Sequence, residues 1–222
     1  MTLSREVVVP GMLNEYGSFA ALVRGLSDRD WATPSRCEGW QVADVAAHVI
    51  GQLTDVVNFR LEGLGSADVT ERQVVERRGR APGELADELE ASAKVAGDLG
   101  ASFDDEAWIG PIPGGAAGST LGFGLEALWF DTYLHADDIR QALGLGAPSR
   151  EGLAPSLSHI AQVLTDQGWG PADLEFDGIG DFPVSGGGVR TITGDAFAFV
   201  LASTGWGDPG ALGLDETVNI YR

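Results

Sequence analysis

A chain of 222 residues with 33 acidic and 14 basic side chains carries a net charge of −19. Such a charge repels phosphate backbones and anionic lipid surfaces, so neither nucleic acid nor a membrane is an expected partner. The single cysteine, Cys37, excludes an intrachain disulfide and any metal site built from several thiolates, while 44% apolar residues suffice for a sizeable core.

No apolar run approaches the roughly 20 residues of a membrane span. The first residues lack the apolar core of a signal peptide. The expected location is the cytoplasm, and the expected state a monomer or homodimer. Leu13, Tyr16, Phe19, Leu22, Val23 and Leu26 recur at helical spacing and predict a first helix over 10–26. A turn-rich connection follows, broken by Pro34 and Gly39. Val42, Val45, Val49, Leu53, Val56 and Val57 mark the buried stripe of a second helix over 41–61. Asp44 suits the positive end of its dipole, and His48 lies one turn later beside the stripe. The stretch 63–82 is rich in charge (Glu71, Arg72, Glu76, Arg77, Arg78, Arg80). It reads as a solvated loop with room for a short helix.

A third helix begins at Pro82, an allowed first-turn residue, and runs to 99. The Gly- and Pro-rich stretch 110–118 lacks the preceding strand and the following Lys-Ser/Thr of a phosphate loop. It reads as a lid or rim leading into a fourth helix, which starts at 119 or 120 and stops before Gly144. Four amphipathic helices predict a bundle over 1–146. Beyond a linker at 144–152 the pattern changes. A helix over 153–167, strands at 174–176, 189–193 and 218–221, and a short helix over 195–203 predict a small α+β domain over 151–222. The fold class is α+β.

Asp131 and His135 stand four apart on the apolar fourth helix, hence one turn above each other on one face. Burying an acid and an imidazole there is costly unless something uses them. With His48 they supply two imidazoles and a carboxylate, a donor set that suits a catalytic zinc with one open position; nickel and iron also accept it. The competing reading makes both histidines hydrogen-bonded core residues and pairs Asp131 with an arginine. Asp44 repeats the Asp-x-x-x-His spacing with His48; it reads first as a helix-start acid, with a ligand or supporting role kept open. Asp138, one turn past His135, lies where the dipole disfavours acids, so it is a candidate to orient that imidazole or to bind Arg36. Cys37 has no identifiable base and reads as a small buried residue. Trp40 and Trp129 are candidates for a pocket wall or for plain core. His159 reads as structural or surface.

Two stretches resemble a known family. Residues 31–48 (Trp-Ala-Thr-Pro-Ser-Arg-Cys-Glu-Gly-Trp-Gln-Val-Ala-Asp-Val-Ala-Ala-His) and 131–144 (Asp-Thr-Tyr-Leu-His-Ala-Asp-Asp-Ile-Arg-Gln-Ala-Leu-Gly) are similar to the two signatures of the mycothiol-dependent maleylpyruvate isomerase family, which belongs to the DinB-like metal-binding four-helix bundles. The resemblance spans nearly the whole chain. It implies a DinB-like bundle with a C-terminal α+β appendage, from an actinobacterium. It further implies a zinc held by His48, Asp131 and His135, supporting roles for Asp44 and Asp138, and mycothiol as thiol co-substrate acting on a small electrophile. The expected function is therefore a zinc-dependent mycothiol transferase or isomerase; the alternative is a non-catalytic bundle that binds a metal or small ligand. Two departures matter. Asp131 stands where the family isomerase has glutamate, so ligation needs closer helices or a bridging water. Trp206 follows Thr204-Gly205 where the family often has arginine, which turns the expectation from a dianionic substrate toward a less charged electrophile lined by Trp40, Trp129 and Trp206.

Overall fold

The computed structural model describes residues 3–112 and 119–222. Most of the expected lid at 110–118 therefore lies outside the described residues. The chain divides into two units, Ser4–Ser149 and Arg150–Arg222.

The first unit is helical: α1 (Arg5–Arg24), α2 (Asp28–Trp31), α3 (Val42–Val57), α4 (Ala67–Val75), α5 (Pro82–Ser102), α6 (Asp105–Ile109) and α7 (Leu121–Ala142). The four long helices make the bundle, with α1 and α3 each packed against both α5 and α7. Their apolar stripes meet at Met12, Tyr16, Phe19, Ile50, Leu53, Leu85, Leu89 and Ile139, all fully buried. At Gly11 the helices approach so closely that a β-carbon would lie 1.9 Å from the Trp129 ring. Glycine there lets α7 press its largest side chain against the α1 backbone.

Sequence periodicity locates the long helices because each buries one continuous stripe. The short helix allowed for in the charged stretch is present as α4, but it is not merely solvated: Gln73 and Val74 are buried. The cause is charge pairing. Arg72 turns its guanidinium inward onto the fully buried Asp55 of α3, at 2.6 Å, so a polar face becomes a packing face.

The second unit holds α8 (Leu153–Asp166), β1 (Ala172–Phe176), β2 (Gly180–Val184), β3 (Thr191–Ile192) and α9 (Ala196–Ser203). Strand order is β2-β1-β3. β1 runs antiparallel to β2, with Ala172 opposite Val184, and parallel to β3, with Leu174 opposite Ile192. α8 packs on β2 and on α9. Asp195 caps α9, its Oδ1 accepting from the amides of Phe197 and Ala198 at 2.8 and 2.9 Å.

One strand expectation needs correction. Residues 218–221 form no strand. They follow a 3-10 turn at Glu216–Val218, and Ile220 N donates to Ser203 O. Val218 and Ile220 are both buried, which gives a strand-like alternation without a partner strand. The strand that sequence reading passed over is β2, disguised by Gly180 and Pro183. As an edge strand it tolerates a proline that donates no ladder hydrogen bond. No helix among the described residues is long and apolar enough to cross a membrane.

Candidate metal centre

The site is set by α3 and α7. At the start of α3 the Gln41 amide donates to Asp44 Oδ2 at 3.0 Å; at the start of α7 Thr120 Oγ1 accepts from Phe123 N at 3.2 Å. These caps fix where each helix begins, and so which residues face each other across the α3–α7 contact. His48 points from α3 and is 6% exposed. Asp131 and His135 point from α7, with side chains 23% and 15% exposed.

The three side chains converge. His48 Nε2 lies 3.6 Å from Asp131 Oδ2, and His135 Nε2 lies 3.6 Å from Asp131 Oδ1. The two imidazoles meet edge to face at 89°, with centroids 5.1 Å apart. One donor atom from each residue lies within 4.8 Å of the other two. Separations of 3.6 Å are too long for hydrogen bonds. Two donors on a tetrahedral zinc at about 2.0–2.2 Å would be separated by about 3.4 Å, so the spacing fits a shared ion. Asp131 Oδ2 is itself buried and has no hydrogen-bond partner. Such an atom is unfavourable unless a cation satisfies it. The donor set thus fits a zinc-like ion, and the shorter aspartate reaches both imidazoles.

The far nitrogen of each imidazole is held. His48 Nδ1 lies 2.9 Å from Gln73 Oε1, and His135 Nδ1 lies 2.6 Å from Asp138 Oδ2. Asp138 is fully buried beside Asp137. Arg36 serves both acids, donating from Nε to Asp138 Oδ1 at 2.6 Å and from its terminal nitrogen to Asp137 Oδ2 at 2.7 Å. The Cys37 thiol donates to Asp138 Oδ2 at 3.3 Å. These residues sit on a tight loop closed by Ser35 N to Trp40 O and Trp40 N to Cys37 O. The loop places the Trp40 ring 5.5 Å from His48 and 6.5 Å from His135, centroid to centroid.

The electrostatics follow from burial and neighbours. Desolvation pushes the Asp131 carboxyl up, but His135 and His48 outweigh it and bring it down to about 2. Desolvation lowers His135, yet Asp131 and Asp138 outweigh it and hold the imidazole well above its usual range. Asp138 is lowered because His135 and Arg36 overcome its burial. Asp137 is raised by burial, against the pull of Arg36.

Of the residues expected from sequence, His48, Asp131, His135, Asp138, Arg36 and Trp40 are brought together. Asp44 is engaged elsewhere, with the Gln41 amide and with Arg78 at 3.5 Å. That is the helix-start role, not a contact with either imidazole. Trp129 is 5% exposed, lies over Gly11, and its indole donates to Glu15 at 3.4 Å, so it belongs to the bundle core. Trp206 belongs to the second unit and is 41% exposed. His159 is buried on α8. A second donor group, Cys37, His135 and Asp138, shares His135 with the first. Its carboxylate is already engaged by Arg36. Sequence reading missed Gln73 and Asp55 behind His48; the only signal was a glutamine in the middle of a charged stretch.

Residues 14–140 match the family described as the mycothiol maleylpyruvate isomerase N-terminal domain. The chain belongs to that family. The matched stretch carries every donor and supporting residue of the site. Two solved structures share the fold with a TM-score of 0.62, over 92% of this chain and 90% of theirs: a mycothiol-dependent maleylpyruvate isomerase, 19% identical, and a histidine-to-alanine mutant of a mycothiol-dependent maleylpyruvate isomerase, 18% identical. At such identity the likeness is one of fold. No sequence among the curated proteins matches this family member.

Proposed function

We propose that the protein is a zinc-centred, mycothiol-dependent isomerase or transferase acting on a small electrophile in the cytoplasm. The observation that carries this reading is the pair of imidazole Nε2 atoms, one facing each oxygen of Asp131 at 3.6 Å. His48, Asp131 and His135 would hold the metal. When bound, zinc lowers the pKa of a coordinated thiol and so supplies a thiolate near neutral pH.

The chain's own residues set the conditions for that chemistry. Gln73 and Asp138 occupy the Nδ1 atoms and leave both Nε2 atoms facing Asp131. Arg36 offsets the charge of Asp137 and Asp138 and is committed to them. Trp40 stands beside both imidazoles as an aromatic wall. A thiolate that adds reversibly to an activated double bond permits rotation and then leaves; transfer differs in displacing a leaving group. With Arg36 committed and an aromatic wall beside the donors, a weakly charged electrophile fits better than a dianion.

Metal analysis of the purified protein tests the reading. Expected is about one zinc per chain, lost in His48→Ala and His135→Ala, together with turnover of a weakly charged, aromatic or apolar electrophile only when mycothiol is supplied. Zinc fully retained in the double variant would sink it.

A further inference from the structure

Behind His48 lies a polar chain that the proposed reaction does not itself require. Asp55 is fully buried on α3, two turns past His48. Its Oδ1 lies 2.5 Å from Arg60, and its Oδ2 2.6 Å from Arg72. The same Oδ2 accepts from Gln73 Nε2 at 2.7 Å. Gln73 is 1% exposed, and its Oε1 faces His48 Nδ1 at 2.9 Å.

Each link dictates the next. A carboxylate between two arginines accepts hydrogen bonds only. The Gln73 NH2 must therefore face Asp55, which turns the amide oxygen toward His48. An amide oxygen has no proton to give, so His48 Nδ1 must carry one. In the neutral ring the lone pair is then left on Nε2, the atom that faces Asp131.

We infer that Gln73 and Asp55 are positioning residues that fix His48 in the Nδ1–H tautomer, with α4 serving as the element that delivers them. This rests on the reading of His48 as a metal ligand. The backbone supports it independently. A β-carbon on Gly51, which lies between His48 and Asp55 on α3, would sit 2.6 Å from Gln73 Cβ and 2.9 Å from an Arg77 terminal nitrogen. Glycine there lets α4 seat Gln73 directly over α3. Arg77 also donates to Gln73 O at 3.1 Å and lies 2.5 Å from Glu88 of α5. The segment just past α4 is thus tied to α5 as well.

The test reads the tautomer directly, on metal-free full-length protein, by long-range nitrogen–proton NMR of the histidine rings in mildly alkaline buffer. The expected result is Nδ1–H for His48 in the wild type. Gln73→Met and Asp55→Asn should each shift it toward Nε2–H. Zinc competition with a chromophoric chelator should then show weakening by about 10–100-fold in Gln73→Met, the range seen when the hydrogen-bond partner of a ligand is lost. An Nε2–H tautomer in the wild type, or an unchanged tautomer in a folded Gln73→Met, overturns the inference. Absence of zinc binding by the wild type would defeat the metal reading instead, while the tautomer spectrum would still decide the role of Gln73.

Discussion

Asp131 and His135 depend on each other's charge, and that dependence has a pH signature. Without metal, Asp131 and Asp138 favour the protonated form of the His135 imidazole against its burial. A metal at Nε2, as proposed, would compete with that proton. We expect metal affinity to fall as pH drops and binding to release protons from the site; calorimetry in buffers of different ionisation enthalpy measures the number released. Metal-free stability should follow the same groups. The lowered Asp131 contributes above the ordinary carboxylate range, and that contribution is lost as pH falls toward about 2. The raised His135 contributes fully below its ordinary range, and that contribution is lost as pH rises through its higher folded value. Denaturant midpoints across pH should therefore peak between these limits. Arg36 has a simpler consequence. Its removal leaves Asp137 buried without its cation and Asp138 with His135 alone, and Arg36→Ala should destabilise by about 3 kcal/mol in chemical denaturation, toward the low end for broken buried pairs because Arg36 is 22% exposed.

At the scale of elements, glycines decide how closely helices approach. Gly11→Ala would drive a methyl into the Trp129 ring, 1.9 Å from its nearest atom. We expect a loss of about 1–3 kcal/mol, as for an overpacked core, read from the urea midpoint. Two of the three proposed donors, Asp131 and His135, stand on α7 two and six residues after Trp129, so a shift of α7 should weaken zinc binding in the same variant. The long helices were legible in the sequence because each repeats an apolar stripe, and Asp131 and His135 because a helix four residues apart stacks them. Gln73 and Asp55 were not legible. Their pairing joins two helices through arginines whose inward direction no spacing rule encodes. β2 was hidden because an edge strand can carry Gly180 and Pro183, residues that elsewhere argue against a strand.

For the whole molecule, the proposed ion would link α3 to α7, neighbouring helices of the bundle. A ligand that binds only the folded state stabilises it by about 2.7 kcal/mol at a hundredfold excess over its dissociation constant. Thermal scans with and without a strong chelator should then differ by several degrees, and the difference should vanish in His48→Ala plus His135→Ala. Equal melting temperatures with and without chelator in the wild type would count against a resident ion. His48 and the α7 pair stand 83 residues or more apart in sequence, so proximity had to come from packing, and the bundle supplies it through the α3–α7 contact.

Every donor, every residue that steadies a donor, and the Trp40 wall come from one unit, Ser4–Ser149. The chemistry is in that sense portable. Substitutions after Ser149, at Trp206 for example, change none of the proposed donors and none of the residues that steady them.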